Sequence, residues 1–503
     1  MSKRPKPGVG QLELQIVWPV EPVTNDAAES TEDDRAEASG RLPATGSHQA
    51  PGRKWYSLID KVYALPNLRE AWAHVQANRG AAGVDEMTVG RFAEGAEERL
   101  RALSEDLRAK TYRPQPVRRV FIPKSGGGRR ALGIPTVRDR VVQQALLQIL
   151  GPIFEATFSR LSHGFRPGRG CASALSVVDR AVRHGYTWVV DADIEAFFDS
   201  VDHERLLDAV HESVTDGSVL KLLRHILEAG VVEAGVAEVE PSELGTPQGG
   251  PLSPLLANLY LHVLDERLGS AGYGLVRYAD DFVIFTRSED EAVSALAVAR
   301  EVLEGELGLR LHPEKTRVMT VAAGFEFLGF HWYWDERRGC FRKEVRRKSA
   351  GRFREAIRAL TPRLRGQRRP TERSLRRRLR RLGENPRLRR MLTRLNRYLR
   401  GWHWYFKDVW SPYPETSFAA FDSYVRMRVR LALVGRPGSG WWHRVLTNGV
   451  LRDLGLEGLD ELQKRWREGV LTAPVRKDGS GGEPYARNPH VRFGEAGRGL
   501  SPP

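Results

Sequence analysis

An acidic turn between two short apolar segments is the feature that most constrains how this chain can fold. Residues 275–278 and 282–286 are predicted strands. Ala279, Asp280 and Asp281 form the tight turn between them. Carboxylates flanked by buried strands lose hydration, which is costly unless a positive group neutralises them. Because the two adjacent aspartates also repel each other, we expect a divalent cation at this turn.

A third carboxylate ends another predicted strand. Residues 188–194 form an apolar segment that carries Asp193 near its end. Carboxylate oxygens suit Mg²⁺, which leaves coordination positions for water and substrate phosphates. Two such ions can hold the attacking hydroxyl and the leaving oxygen of a phosphoryl transfer. A pair of adjacent aspartates is otherwise often a plain turn, and the spacing does not show whether Asp193 reaches Asp280 and Asp281.

A basic hairpin is predicted upstream of these carboxylates. Residues 117–123 alternate as a strand, the glycines of residues 126–128 form a turn, and residues 130–134 return as a second strand. Lys124 and Arg130 flank the turn, where a point charge and a planar guanidinium could grip a triphosphate. A solvated basic surface is the commoner explanation of such a hairpin. The chain contains no Walker-type phosphate loop, which disfavours a P-loop nucleotide hydrolase.

The composition of the 503 residues favours a nucleic-acid partner. The formal net charge is +16, and a basic surplus of this size favours binding to a phosphate backbone. A GC-rich gene that favours arginine is the alternative explanation. The two cysteines, Cys171 and Cys340, form no CxxC pair, which excludes a zinc ribbon and a disulfide framework. No segment approaches the roughly 18–20 apolar residues that cross a bilayer, so we expect a cytoplasmic protein without membrane contact.

The sequence pattern divides the chain into four parts. Residues 1–52 are acidic and poor in apolar residues, which predicts a flexible tail. Strands, helices and hairpins interleave without a regular βαβ order in residues 53–345, which indicates an α+β fold. Residues 346–470 are rich in arginine and keep a helical apolar stripe, so an all-helical module is predicted. Residues 471–503 are rich in Gly, Arg and Pro and are predicted to be loosely ordered.

Eight motifs occur along the chain in the order found in one protein family. They are residues 78–85, 122–124 with 130–135, 162–168, 193–198, 245–250, 278–281, 311–316 and 327–330. Together they resemble the bacterial group II intron-encoded proteins, which are reverse transcriptase–maturases. The resemblance covers residues 55–445 and implies a right-hand polymerase fold. Fingers and palm would occupy residues 53–345, and a helical thumb/maturase (X) domain residues 346–470.

The resemblance also implies roles for individual residues. It implies an RNA-directed DNA polymerase in which Asp193, Asp280 and Asp281 are catalytic. These three, with the carbonyl of Ile194, would hold two Mg²⁺ ions. The residues that it implies for binding the incoming deoxynucleotide are Lys124, Arg130, Phe198, Gln248 and Lys315. Among these, Phe198 would exclude a 2′-hydroxyl, so that the product is DNA.

The maturase-like region is expected to bind RNA. Arginines contact phosphates, and exposed aromatic rings stack on unpaired bases. The residues expected to make these contacts are Arg376, Arg377, Arg380, Arg381, Arg397, Arg400, Trp402 and Trp404. For any single ring, packing in a helical core is at least as good an explanation.

The expected partners are an RNA template, a group II intron RNA, a DNA primer or target, and deoxynucleotides. Many family members carry a Cys-rich endonuclease domain of the HNH type, and we expect none here because no cysteine follows Cys340. The favoured function is a polymerase that also assists the splicing and mobility of its intron. Two alternatives stay open: a domesticated reverse transcriptase in host or phage defence, and a splicing cofactor with a vestigial polymerase. The sequence does not decide the oligomeric state.

Overall fold

The computed structural model describes residues 54–123, 129–233, 244–246, 249–364, 373, 381, 383–409, 417–434 and 442–470. Both terminal tails predicted from the sequence lie outside these residues. Several candidate site residues also lie outside them, namely Lys124, Gln248, Arg376, Arg377 and Arg380. For Arg130 the structure describes the backbone alone.

Helices and strands interleave through the first part of the described chain. The helices are α1 (Ile59–Tyr63), α2 (Leu65–Asn78), α3 (Val89–Ala93), α4 (Ala96–Arg108), α5 (Val137–Glu155), α6 (Cys171–Arg183), α7 (Phe197–Ser200), α8 (His203–Ser213), α9 (Gly217–Leu227), α10 (Ser253–Tyr260), α11 (His262–Ser270), α12 (Glu289–Arg300), α13 (Arg347–Leu360), α14 (Pro386–Phe406), α15 (Phe418–Val434), α16 (Trp442–Val445), α17 (Asn448–Asp453) and α18 (Leu459–Arg467). A π-helix follows α12 over Glu301–Glu306, and a 3-10 turn occupies Val321–Ala323. The strands are β1 (Val117–Pro123), β2 (Arg129–Ile134), β3 (Trp188–Asp193), β4 (Val231–Glu233), β5 (Gly274–Tyr278), β6 (Asp281–Thr286), β7 (Arg317–Thr320), β8 (Phe325–Phe327), β9 (Phe330–Asp335) and β10 (Cys340–Val345).

The central sheet has four antiparallel strands in the order β5-β6-β3-β7. These strands are rich in β-branched and aromatic residues, which favour extended backbone. β5 and β6 form the predicted hairpin, and Ala279 in its turn adopts a left-handed conformation with a φ of 59°. β3 lies beside β6 and ends at Asp193, so the strand predicted over residues 188–194 is confirmed to within one residue.

Two smaller sheets flank the central one. β1 and β2 pair antiparallel from Arg118 and Ile134 to Pro123 and Arg129, which confirms the predicted basic hairpin. The short strand β4 joins β1 in parallel. The third sheet is antiparallel and has the order β10-β9-β8.

The central sheet separates two hydrophobic cores. One face, which includes Val190 and Ile284, packs with α1, α2, α4, α5 and α8–α12. The opposite face, which includes Val189 and Phe285, packs with α6, with β8 and β9, and with the helices that follow Arg346. Because neighbouring residues of a strand point to opposite faces, the alternation in β3 and β6 assigns each side chain to one of the two cores.

In the described part of the chain after Arg346, helices are the only regular elements. α13, α14 and α15 meet through Phe353, Trp402 and Phe421, whose ring centres lie 4.5–4.8 Å apart in each pair. Asp422 on α15 accepts hydrogen bonds from the first backbone N–H groups of α18, which fixes the last described helix to this core. Among the described helices, none is long and apolar enough to span a membrane.

Candidate active site

The predicted carboxylates meet at one end of the central sheet. Asp193, the last residue of β3, is the register partner of Asp281, the first residue of β6. Residues opposite each other on antiparallel strands have side chains on the same face, with Cβ atoms roughly 5 Å apart. Asp280 lies in the adjoining turn. Asp191 is two residues before Asp193 on β3 and therefore lies on the same face.

Burial and mutual repulsion perturb these carboxylates. The pKa of Asp281 is raised to about 8, first by burial and then by the charges of Asp280, Asp191 and Asp193. The pKa of Asp191 is raised to about 6, first by burial and then by Asp193. The guanidinium of Arg346, just before α13, opposes both shifts. A cluster in which ionisation is so unfavourable is one that a cation stabilises.

Lys315 lies beside the first of these carboxylates. Its Nζ is 2.5 Å from Asp193 Oδ2, and both side chains remain about half exposed. The segment before Lys315 is fixed to the end of β3, because the backbone N–H of His312 donates to the carbonyl of Asp193 and Ile194 forms a β-bridge with Leu311. The resemblance implied that Lys315 binds the nucleotide. The structure places its ammonium group on a candidate metal ligand.

The donor atoms at this end of the sheet suit a hard divalent cation. Among the described residues, no three acidic, histidine or cysteine side chains are grouped closely enough to hold an ion. The chemistry of the donors still fits Mg²⁺, which prefers oxygen ligands and keeps water and phosphate in its other positions.

The segment of residues 245–250 touches both α7 and the β1–β2 hairpin. The backbone N–H of Thr246 donates to the carbonyl of Phe198 over 2.7 Å. A Cβ on Gly249 would lie 2.5 Å from the carbonyl oxygen of Gly133 in β2, so this approach requires glycine. Thr246 and Gly249, which precede and follow Gln248 in the sequence, therefore contact α7 and β2.

The other predicted nucleotide contacts are only partly described. Phe198 is 8% exposed, and its ring meets that of Phe197 edge-on at 5.1 Å. The side chains of Lys124, Arg130 and Gln248 lie outside the described residues. Their contacts with a nucleotide stay predictions.

The residues expected to bind RNA have different environments. Arg381 and Arg397 are exposed. Arg400 is also exposed, but its Nε and Nη2 donate to the carboxylate of Glu457. Trp404 on α14 is half-buried, so part of its ring reaches the surface.

The expectation that Trp402 contacts RNA is wrong for this structure. Its side chain is 2% exposed, and its ring packs against Phe353, Phe406 and Phe421 at 4.5–4.8 Å. A ring enclosed by a hydrophobic core cannot stack on a base. Successive residues of an α-helix are rotated by about 100°, so Trp402 faces the core while Trp404 lies towards the surface.

This difference between the two tryptophans predicts that their replacement lowers stability by unequal amounts. We expect Trp402→Ala to lower the free energy of unfolding by about 3–5 kcal/mol, because it removes an aromatic ring from a core. The matched change Trp404→Ala should cost about 1 kcal/mol or less. Chemical denaturation followed by circular dichroism measures both. Equal destabilisation by the two changes would contradict the assignment of Trp402 to the core.

Three residues near the site were not among the predicted site residues, although the sequence carries a signal for two of them. Asp191 shares a strand face with Asp193, which the alternation in β3 could have shown. Arg277 is a fully buried charge inside an apolar strand, and such a charge needs a partner. The proximity of Arg346 to Asp281 depends on the tertiary fold, and no local pattern indicates it.

The chain is similar in sequence to several known proteins. Residues 122–332 match the family model described as reverse transcriptase (RNA-dependent DNA polymerase). Protein YkfC of Escherichia coli (strain K12) is 35% identical over 329 residues, which cover 58% of this chain and 86% of that protein. The group II intron-encoded protein LtrA of Lactococcus lactis subsp. cremoris is 40% identical over 199 residues, or 39% of this chain and 32% of LtrA. The chain belongs to the group II intron-type reverse transcriptase/maturase family.

Membership of this reverse transcriptase family makes the chain an RNA-directed DNA polymerase with a right-hand polymerase fold and an RNA template. The matched part of LtrA is only 32% of its length, so the functions of that whole protein are not transferred by the match. A chain of a solved partial Cas6-RT-Cas1–Cas2 complex is also similar in structure, with 24% sequence identity and a TM-score of 0.33. The match covers 50% of this chain and 43% of the chain in that complex.

Proposed function

We propose that this reverse transcriptase adds deoxynucleotides at Asp193, Asp280 and Asp281, which bind two Mg²⁺ ions. The observation that carries the assignment is the pairing of Asp193 with Asp281 across β3 and β6, with Asp280 in the adjoining turn. The raised pKa of Asp281 supports it, because crowded and partly buried carboxylates are stabilised by cations.

The protein's own contribution is to fix the carboxylates and to balance charge. When bound, Mg²⁺ ions lower the pKa of the primer 3′-hydroxyl and stabilise charge on the leaving pyrophosphate. The ladder of backbone hydrogen bonds between β3 and β6 holds Asp193 and Asp281 side by side. The carbonyl oxygen of Ile194, next to Asp193, would be a further metal ligand. Lys315, whose ammonium group lies 2.5 Å from Asp193 Oδ2, would supply a positive charge that balances the departing pyrophosphate.

The nucleotide contacts form the second part of the proposal. Lys124 and Arg130 would bind the triphosphate, and Gln248 would lie beside the nascent base pair. The antiparallel β1–β2 hairpin supports this, since β1 ends directly before Lys124 in the sequence and Arg130 lies in β2 opposite Ile122. The close approach of Gly249 to Gly133 also supports it, because it brings the segment of Gln248 to the same hairpin.

Phe198 is proposed to exclude ribonucleotides. We expect Phe198→Ala to improve the use of ribonucleotides relative to deoxynucleotides by about 10–100-fold, because it removes the ring that is proposed to exclude a 2′-hydroxyl. The matched control is Phe197→Ala, since Phe197 is 2% exposed and belongs to the same core. It should lower stability without changing the choice of sugar. Steady-state incorporation of rUTP and dTTP on a poly(rA) template measures the ratio, and an unchanged ratio in Phe198→Ala would remove the role.

The helical region is proposed to form the thumb and maturase domain of residues 346–470, following fingers and palm in residues 53–345. α14 contains no acidic residue, and its arginines accumulate positive charge along the helix. The exposed arginines of α14 are Arg387, Arg389, Arg390, Arg394, Arg397 and Arg400. A helix of this charge fits a phosphate backbone, and the group II intron relatives suggest intron RNA as the ligand. Arg376, Arg377, Arg380 and Arg381 are proposed to bind the same RNA.

The proposed activity is tested by primer extension. Purified protein receives a poly(rA) template, an oligo(dT) primer, dTTP and Mg²⁺, beside an Asp280→Ala control. Incorporation that disappears in the control supports the assigned site. Tight RNA binding without incorporation would instead favour a splicing cofactor with a vestigial polymerase.

A splicing assay with a group II intron RNA encoded around the gene separates an intron role from that of a domesticated reverse transcriptase. Only the intron role predicts protein-dependent splicing.

A further inference from the structure

A buried ion pair lies behind the acidic turn. Arg277 of β5 and Asp265 of α11 both have side chains that are 0% exposed. Arg277 Nε lies 2.6 Å from Asp265 Oδ1, and Nη2 lies 2.5 Å from Oδ2, so the pair is bidentate. The next residue, Tyr278, is the register partner of Asp281. Because neighbouring strand residues alternate, Arg277 lies on the face of the sheet opposite the carboxylates.

The other terminal nitrogen of Arg277 reaches the turn itself. Its Nη1 donates to the carbonyl of Ala279 over 2.9 Å and to Asn258 Oδ1 over 3.0 Å. Ala279 has a φ of 59°, a conformation that is disfavoured for alanine and needs support from its surroundings. The Ala279 carbonyl belongs to the peptide group that leads into Asp280. The hydrogen bond therefore sets the direction of the peptide from which Asp280 and Asp281 project.

Asn258 connects a second segment to the same turn. Its Nδ2 donates to the carbonyl of Gly164 over 2.8 Å. The backbone of Gly164 in turn lies against the turn, since a Cβ on this residue would be 2.5 Å from the Ala279 backbone nitrogen. Arg277 thus holds the carbonyl of Ala279, and Gly164 packs against the backbone nitrogen of Ala279. Asn258 is hydrogen-bonded to both Arg277 and Gly164.

We propose that Arg277 is a positioning residue for nucleotide addition, which holds the Ala279 carbonyl and so aligns Asp280 and Asp281. The inference rests on the proposed catalytic role of these aspartates. A buried ion pair adds little net stability compared with apolar residues of similar volume. The hydrogen bond from Arg277 to the Ala279 carbonyl instead gives this ion pair a role in holding the turn. Asp265 and Asn258 orient the guanidinium, as supporting residues do for a preorganised site.

The decisive variant is Arg277→Lys, which keeps a positive charge beside Asp265. One ammonium group cannot reproduce the planar fork that reaches Asp265, Asn258 and Ala279 together. We expect kcat in primer extension to fall by about 10–100-fold, the scale of a small misplacement of catalytic groups. The Mg²⁺ concentration for half-maximal activity should rise several-fold, while the KM for template–primer stays within about twofold. Hydrogen exchange of peptides that cover residues 277–283 should become at least tenfold faster.

Two further variants keep the test independent of folding. Asp265→Asn should produce the same changes, because it removes the partner that orients Arg277. Asp179→Asn is the matched control, since the hydrogen bonds of Asp179 run to the buried Lys343 of β10, 2.5 Å away, and to Trp332 of β9. It should lower the melting temperature without changing the Mg²⁺ dependence or the exchange of residues 277–283.

The outcomes separate this inference from the proposed function. If Arg277→Lys had the same hydrogen exchange of residues 277–283 and the same Mg²⁺ dependence as the wild type, the positioning role would be overturned. The same changes in Asp179→Asn would also overturn it, because they would then reflect general destabilisation. A wild-type protein without polymerase activity would contradict the proposed function, and the exchange of residues 277–283 would still decide whether Arg277 holds the turn.

Discussion

Replacement of Asp281 by asparagine should abolish nucleotide addition and, at the same time, make the metal-free protein more stable. Asp281 pairs with Asp193 across the two central strands and is one of the three aspartates proposed to hold the Mg²⁺ ions. An amide cannot replace the charge of the carboxylate. Loss of several kcal/mol of metal-derived charge stabilisation corresponds to a decrease in kcat of at least about 10³-fold.

The gain in stability follows from the raised pKa of Asp281, which is about 8. A carboxyl whose folded-state pKa lies above its unfolded value contributes stability that is fully present below the unfolded value, roughly 3.9, and is lost progressively as the pH rises from there to about 8. Asparagine is neutral throughout this range. The melting temperature of Asp281→Asn in EDTA should therefore exceed that of the wild type by about 2–4 °C at pH 8.5, and by less at pH 6.

A matched control separates this effect from a general effect of removing charge. Asp208→Asn changes an exposed aspartate on α8 and should alter neither activity nor melting. Differential scanning calorimetry in EDTA and primer extension in Mg²⁺ measure the two quantities. If Asp281→Asn melted at a lower temperature than the wild type at pH 8.5, the folded metal-free protein would stabilise the ionised carboxylate of Asp281. The proposal that this carboxylate needs a cation would then be contradicted.

Gly164→Ala should reduce polymerase activity by about 100-fold, because it displaces the acidic turn. A Cβ on Gly164 would lie 2.5 Å from the Ala279 backbone nitrogen and 3.0 Å from the carbonyl carbon of Tyr278. Both atoms belong to the backbone, so no side chain can rotate to relieve the overlap. Overpacking of this kind typically costs about 1–3 kcal/mol in the free energy of unfolding, and here it acts directly on the residues before Asp280.

The control for this substitution is Gly217→Ala, at the start of α9. A Cβ on Gly217 would have no neighbour within 4 Å, so the same chemical change meets open space. We expect wild-type activity and a melting temperature within about 2 °C of the wild type. Near-normal activity of Gly164→Ala, measured by primer extension beside this control, would show that the turn can move without loss of function.

The sequence alone determined the local structure around the site. Alternation in residues 117–123 and 130–134 predicted the basic hairpin, and the apolar segments around Asp280 predicted the β5–β6 hairpin. These predictions succeeded because strand pairing through a short turn depends on neighbouring residues. The order of the motifs also indicated the family, since eight local patterns in sequence are far more specific than one.

The tertiary structure decided what long-range packing controls. Helical spacing could not tell that Trp402 enters the core formed by α13 and α15 while Trp404 lies towards the surface, because that depends on which face of α14 these helices cover. The partners of Arg277 come from α10 and α11, which are joined to it only by folding. The pairing of Asp193 with Asp281 likewise required β3 to lie beside β6. Sequence patterns record the neighbours along the chain, whereas the site consists of residues that are distant in sequence and are brought together by the two cores on either side of the central sheet.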